Sequence, residues 1–111
     1  MILVSLALAN ICFNHQCYPV LVGKNTPRGI FQLKQVSTKQ SGYGGDILKF
    51  KETSTNIFAI HRVLDISNRL ERIKSPNKNN RISVTMGCIN IDPKIYDNLV
   101  SCCINQKLKI K

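Results

Sequence analysis

Apolar residues along this chain come in short bursts separated by Gly, Pro, Asn and Ser, and only one stretch repeats them at helical spacing. That pattern constrains the fold most, because alternation with a period of two, broken by frequent turns, is what half-buried strands require. Cys12-Phe13-Asn14-His15-Gln16-Cys17, followed by Tyr18-Pro19-Val20-Leu21-Val22-Gly23, reads as strand, tight turn and strand. The two cysteines flank the turn, within bridging distance if the register is right. His15 at the tip is a solvated turn residue. Asn25-Thr26-Pro27-Arg28-Gly29 is a turn, since Pro fixes φ and Gly frees it. Ile30 to Val36 then alternates as one half-buried strand. Ser37 to Asp46, with three glycines around Tyr43, is a flexible loop. Ile47 to Lys51 and Asn56 to His61 make the next strand pair, which leaves His61 at a strand end, where side chains can be aimed into a cleft.

From Ser67 to Arg81 the chain is polar and basic, and Ser75 to Asn80 reads as an exposed turn. Ile82-Ser83-Val84 is a short strand leading to Met86-Gly87-Cys88. Asp92-Pro93 announces a helix, with Asp as N-cap and Pro at the first helical position. Ile95, Leu99 and Cys103 recur at helical spacing over about ten residues. Cys102 and Cys103 ride on that helix, where burial is the simplest expectation. Leu108 and Ile110 alternate with lysines in a last, partial strand. Five to seven strands against one clear helix predict a mainly β fold.

A chain of 111 residues, 43% of them hydrophobic, has room for one core and one domain. Residues 1–9 are apolar apart from Ser5 and end in Ala7-Leu8-Ala9, as a truncated signal peptide would. The alternative is a buried first strand. Residues 10–111 form the domain proper. No apolar run is long enough for a transmembrane helix. The net charge of +10 favours an anionic partner, namely nucleic acid, anionic lipid or a cell-wall polyanion, or else merely keeps the surface soluble. The positive residues are scattered and no aromatics interleave with them as a base-stacking platform requires, so no nucleic-acid partner is expected.

The segment richest in chemistry is Arg81-Ile82-Ser83-Val84-Thr85-Met86-Gly87-Cys88-Ile89-Asn90. A thiol after a glycine at a strand end is open to a bulky substrate, and the backbone N–H groups of Gly87 and Cys88 can converge on an oxyanion. A thiol needs an imidazole or positive charge beside it to ionise near neutral pH. His61 at its strand end suits that role better than His15. Thr85, Met86, Asn90 and Arg81 are expected around the site. Thr85 is expected there chiefly as a structural hydroxyl, and Asn90 as a turn-holder bonded to backbone. The cysteines offer no zinc-site spacing, because Cys102 and Cys103 are adjacent, so no metal is expected.

This arrangement resembles the L,D-transpeptidase (YkuD-type) catalytic domain, in which a strand His precedes a Ser/Thr-His-Gly-Cys-hydrophobic-Asn/Arg signature. Ala59-Ile60-His61 and Thr85-Met86-Gly87-Cys88-Ile89-Asn90 correspond to those parts. Upstream, Val22-Gly23, Thr26-Pro27, Gly29 and Phe31 look like the family's Val-Gly and Thr-Pro-x-Gly-x-Phe block. The likeness runs from about Cys17 to Val100. Met86 stands where the family has its second His, and the interval from His61 to Cys88 is longer than usual, the excess lying between Ser67 and Asn80.

The resemblance implies a small β-sandwich or open barrel with one or two short helices, exported to the periplasm or cell wall and monomeric. It further implies that Cys88 attacks a peptidoglycan stem peptide after an L-centre, with His61 as base and no cofactor. The acceptor is an amine, making a cross-link, or water, making an L,D-carboxypeptidase. The basic surface would then favour anionic wall polymers. The rival expectations are an inactive wall-binding domain of the same fold and a small basic nucleic-acid-binding module.

Overall fold

A computed structural model describes residues 1–111, and its elements follow the short apolar bursts closely. Nine strands make two sheets: β1 (Ile2–Ser5), β2 (Asn10–Phe13), β3 (Gln16–Pro19), β4 (Gly29–Gln32), β5 (Lys34–Ser37), β6 (Asp46–Glu52), β7 (Ile57–Arg62), β8 (Ile89–Ile91) and β9 (Lys107–Ile110). One sheet runs β3-β2-β1-β9-β4, the other β5-β6-β7-β8. Two short α-helices, α1 (Arg69–Arg72) and α2 (Pro93–Cys103), complete the fold with a 3₁₀ turn at Lys78–Asn80.

Alternation sets which side chains meet between the sheets. Ile2 and Val4 of β1, Ile11 and Phe13 of β2, and Leu108 and Ile110 of β9 all enter one core. Leu48 and Phe50 of β6 and Phe58 and Ile60 of β7 face them from the other sheet. The residues between, Ile57, Ala59 and His61, therefore point to the opposite face of β7. Residues 2–5 sit at the centre of their sheet, antiparallel to β2 and parallel to β9, so here this apolar stretch is a strand.

Three local expectations change. The alternating run Ile30 to Val36 is two strands, because the chain bends at Leu33 and leaves β9 in one sheet to join β6 in the other. Such corners are where strands switch between packed sheets. Ile82-Ser83-Val84 is not a strand: Ser83 takes a positive φ of 59°, and Val84 N–H turns instead to the Val22 carbonyl. The helix after Asp92-Pro93 is present, with the Asp92 carboxylate accepting from the Lys94 N–H. Its buried stripe, however, is Tyr96, Leu99 and Cys103, with Tyr96 in the place expected of Ile95, which is half-buried.

The hairpin cysteines meet as a directly opposed pair, Cys12 against Cys17, and are bonded to each other. Of the two helix cysteines expected to be buried, Cys103 is buried and Cys102 exposed, and the two are joined to each other. Cys88 is the one free thiol of the five.

Candidate active site

Strand β8 lies parallel to β7, with Ile60 opposite Ile89, His61 opposite Asn90 and Arg62 opposite Ile91. Carried back one residue, that register sets Cys88 beside Ala59. Cys88 and Asn90 then share the outward face with Ala59 and His61, making the thiol and the imidazole diagonal neighbours within a long side chain's reach. Both line a depression of about 600 Å³ and a smaller one of about 250 Å³ that shares part of its wall.

The loop bearing the thiol is pinned by the upstream Val-Gly and Thr-Pro block. Leu21 and Asn90 exchange backbone hydrogen bonds. The buried Thr26 hydroxyl accepts from Gly23 N–H and donates to the Gly87 carbonyl, each at 2.9 Å. Gly23 packs so tightly there that a Cβ would lie 2.3 Å from the Thr85 carbonyl oxygen. Gly87 takes a φ of +136°, which a residue with a Cβ rarely adopts. The turn before the cysteine therefore depends on glycine at two separate points.

The hydrogen bonds fix the imidazole's tautomer. A guanidinium only donates, so Asn90 presents Oδ1 to Arg69 Nη1 at 3.1 Å and its Nδ2 to His61 Nε2 at 3.2 Å. Nε2 is thereby an acceptor, and the ring proton sits on Nδ1, which donates to the Arg62 carbonyl at 2.7 Å. That carbonyl is held in turn, since the Arg62 side chain is tied to Asp46, Asp97 and the Tyr43 carbonyl. The Tyr43 ring meets the imidazole edge-on, 4.5 Å between centroids. The Nε2 lone pair is what a general base requires. It accepts from Asn90 here, and the thiol itself leans toward the Ile57 carbonyl at 3.7 Å.

Burial pushes the His61 imidazole below its ordinary pKa, and the Arg69 charge adds to this while the bond to the Arg62 carbonyl opposes it. Burial likewise pushes the Cys88 thiol up, against a hydrogen bond from the Ala59 backbone and the Arg69 charge. Both shifts favour a neutral thiol beside a neutral imidazole over an ion pair. Alkylation of Cys88 by iodoacetamide should therefore rise through a midpoint above the value of about 8.5 for a free cysteine. A reactive plateau persisting in mild acid would instead indicate a preformed thiolate–imidazolium pair.

The remaining expected residues divide. Thr85 is structural, accepting from Gly87 N–H and donating to the Cys88 carbonyl at 2.6 Å. Gly87 N–H is thus occupied, whereas Cys88 N–H has no acceptor within the protein. Met86 is almost fully exposed at the rim of the smaller depression. Asn90 is buried, and its side chain bonds His61 and Arg69 rather than backbone. Arg81 is not brought to this site: its buried guanidinium holds the carbonyls of Leu8, Ala9 and Ser75. Arg69 takes the charged position beside the site. In the sequence it is one of several arginines in a polar stretch, and only its place at the start of α1 brings it here.

Among solved structures, Bd1075 of Bdellovibrio bacteriovorus is similar with a TM-score of 0.63 at 17% identity, over 100% of this chain and 47% of its own. An L,D-transpeptidase from Xylanimonas cellulosilytica is similar at 0.62 and 13% identity, over 99% and 59% respectively. The chain spans 47% and 59% of those two structures, roughly half of each. No family model and no curated protein matches the sequence. Identities this low establish a shared L,D-transpeptidase-like fold and leave the chemistry to the residues.

Proposed function

We propose that this chain catalyses cysteine-dependent acyl transfer on peptidoglycan stem peptides, as an L,D-transpeptidase does. The observation that carries the reading is the sharing of one cavity by the one free thiol and an imidazole whose Nε2 lone pair, on the far side of the ring from its backbone anchor, accepts only from the Asn90 amide. Cys88 attacks the carbonyl carbon of the residue preceding a terminal D-amino acid, and its proton passes to His61 Nε2 as the Asn90 amide gives way. In unliganded sites such bonds are often long or misaligned before substrate arrives.

The oxyanion forms at the Cys88 N–H, the donor left without a protein acceptor; losing one such donor raises the barrier by about 3 kcal/mol. The C–N bond then breaks, the proton on Nε2 goes to the leaving amine, and a thioester remains on Cys88. An amine acceptor completes a cross-link, and water completes a carboxypeptidase cycle. The +10 charge would hold an exported enzyme on anionic wall polymers. No helix is long and apolar enough to cross a membrane.

A carbapenem, an acyl donor that members of the resembled family accept, tests the reading by intact mass. A single adduct on the wild type, absent from Cys88→Ala, is the expected result. No adduct on either protein would favour an inert wall-binding domain of the same fold, a reading that the loss of the family's second His at Met86 keeps in play.

A further inference from the structure

Arg69 is charged, partly buried and almost without partners. Its Nη1 donates to the neutral Asn90 amide, while its Nε is buried with no acceptor at all. No carboxylate lies within ion-pair distance: the protein's salt bridges are Lys49–Glu52, Arg62–Asp46 and Arg62–Asp97. Guanidinium groups withdrawn from water are normally matched by carboxylates or several acceptors, because an unmatched one is costly. The contrast with Arg62, which is tied to two aspartates, is direct.

The surroundings of Arg69 have room for an anion. It is the one charged residue lining the 250 Å³ depression, with Cys88, His61 and Met86 on the same walls. The 600 Å³ depression, which also reaches the thiol and the imidazole, has no arginine or lysine on its walls. A peptide laid across Cys88 places its acyl portion on one side and the departing residue on the other.

We propose that Arg69 binds the free carboxylate of the departing residue in the smaller depression, an inference that rests on the acyl-transfer reading above. A carboxylate in that depression would supply the counter-charge that the protein withholds from Arg69, through a charge-assisted hydrogen bond. The subsite makes the protein selective for a terminal residue with a free carboxylate. An amide-ended or internal peptide bond leaves Arg69 unmatched, and sites built to pair a polar group discriminate strongly against ligands that lack it.

Binding, measured without turnover, tests this. The Cys88→Ala protein is titrated with N-acetyl-L-lysyl-D-alanine and with its C-terminal amide, followed by backbone amide shifts of Met86 and Gly87. The free acid should bind at least about tenfold more tightly, the scale of one charge-assisted hydrogen bond. Adding Arg69→Gln should level the two ligands, and Arg69→Lys should keep part of the preference. Equal binding of acid and amide, no binding of either, or a preference that survives Arg69→Gln would overturn the subsite. Because no acylation is needed, these results are independent of the carbapenem adduct, whose absence would count against the reaction alone.

Discussion

Replacing His61 with glutamine is expected to slow acylation of Cys88 by a carbapenem by about 10²–10⁴-fold at neutral pH, the usual worth of a positioned general base. The thiol is pushed up by burial, so it contributes little thiolate of its own and depends on Nε2 to take the proton. The lost rate should return as the pH rises through the thiol's own titration, where a base is no longer needed. Stopped-flow acylation across that range checks both parts. A deficit that stays constant at high pH would mean that the imidazole shapes the cavity and does not move a proton.

Gly23→Ala should harm the molecule far more than the removal of two hydrogens suggests. The added Cβ would meet the Thr85 oxygen at 2.3 Å, the Gly87 nitrogen at 2.8 Å and the Thr85 carbonyl carbon at 2.9 Å, all of them backbone atoms with no rotamer to retreat into. Overpacking of this kind costs about 1–3 kcal/mol and sometimes more, or a drop of roughly 10 °C in melting temperature for a domain of this size. The displaced residues are those before the nucleophile, and a shift of about 1 Å there can cost about a hundredfold in rate. Calorimetry and the acylation rate measured well below the melting transition should both fall. A variant that melts normally and acylates at full speed would show that the Thr85–Gly87 turn yields freely.

What the sequence made legible was mostly local. The Cys12–Cys17 hairpin, the capped helix after Asp92-Pro93 and the outward placement of His61 each follow from spacing and turn chemistry within a few residues. Cys88 was recognisable from its glycine and from the order of blocks around it. The unforeseen features depend on pairings between distant segments. That Ile30 to Val36 bends at Leu33 is decided by which neighbours each half finds, and both halves have strand-like composition. That Asn90 turns to His61 and Arg69 requires the parallel register of β7 and β8 together with the path between them. Arg81, grouped with the site by proximity to Cys88 in sequence, is drawn inward by carbonyls some seventy residues earlier. The Arg62 carbonyl that orients the imidazole was invisible because every residue carries a carbonyl.

The sheet order also carries a consequence for how the molecule assembles. The sheet holding the thiol and imidazole is drawn from one uninterrupted span, Lys34 to Ile91, whereas the other joins Ile2–Ser5 to Lys107–Ile110 across nearly the whole chain. Closing so wide a loop has the larger entropic cost, and distant pairings form slowly. Pairing of β1 with β9 is therefore expected to follow the shorter-range pairings, the β1-β2-β3 hairpins included, as pulse-labelled hydrogen exchange during refolding would show.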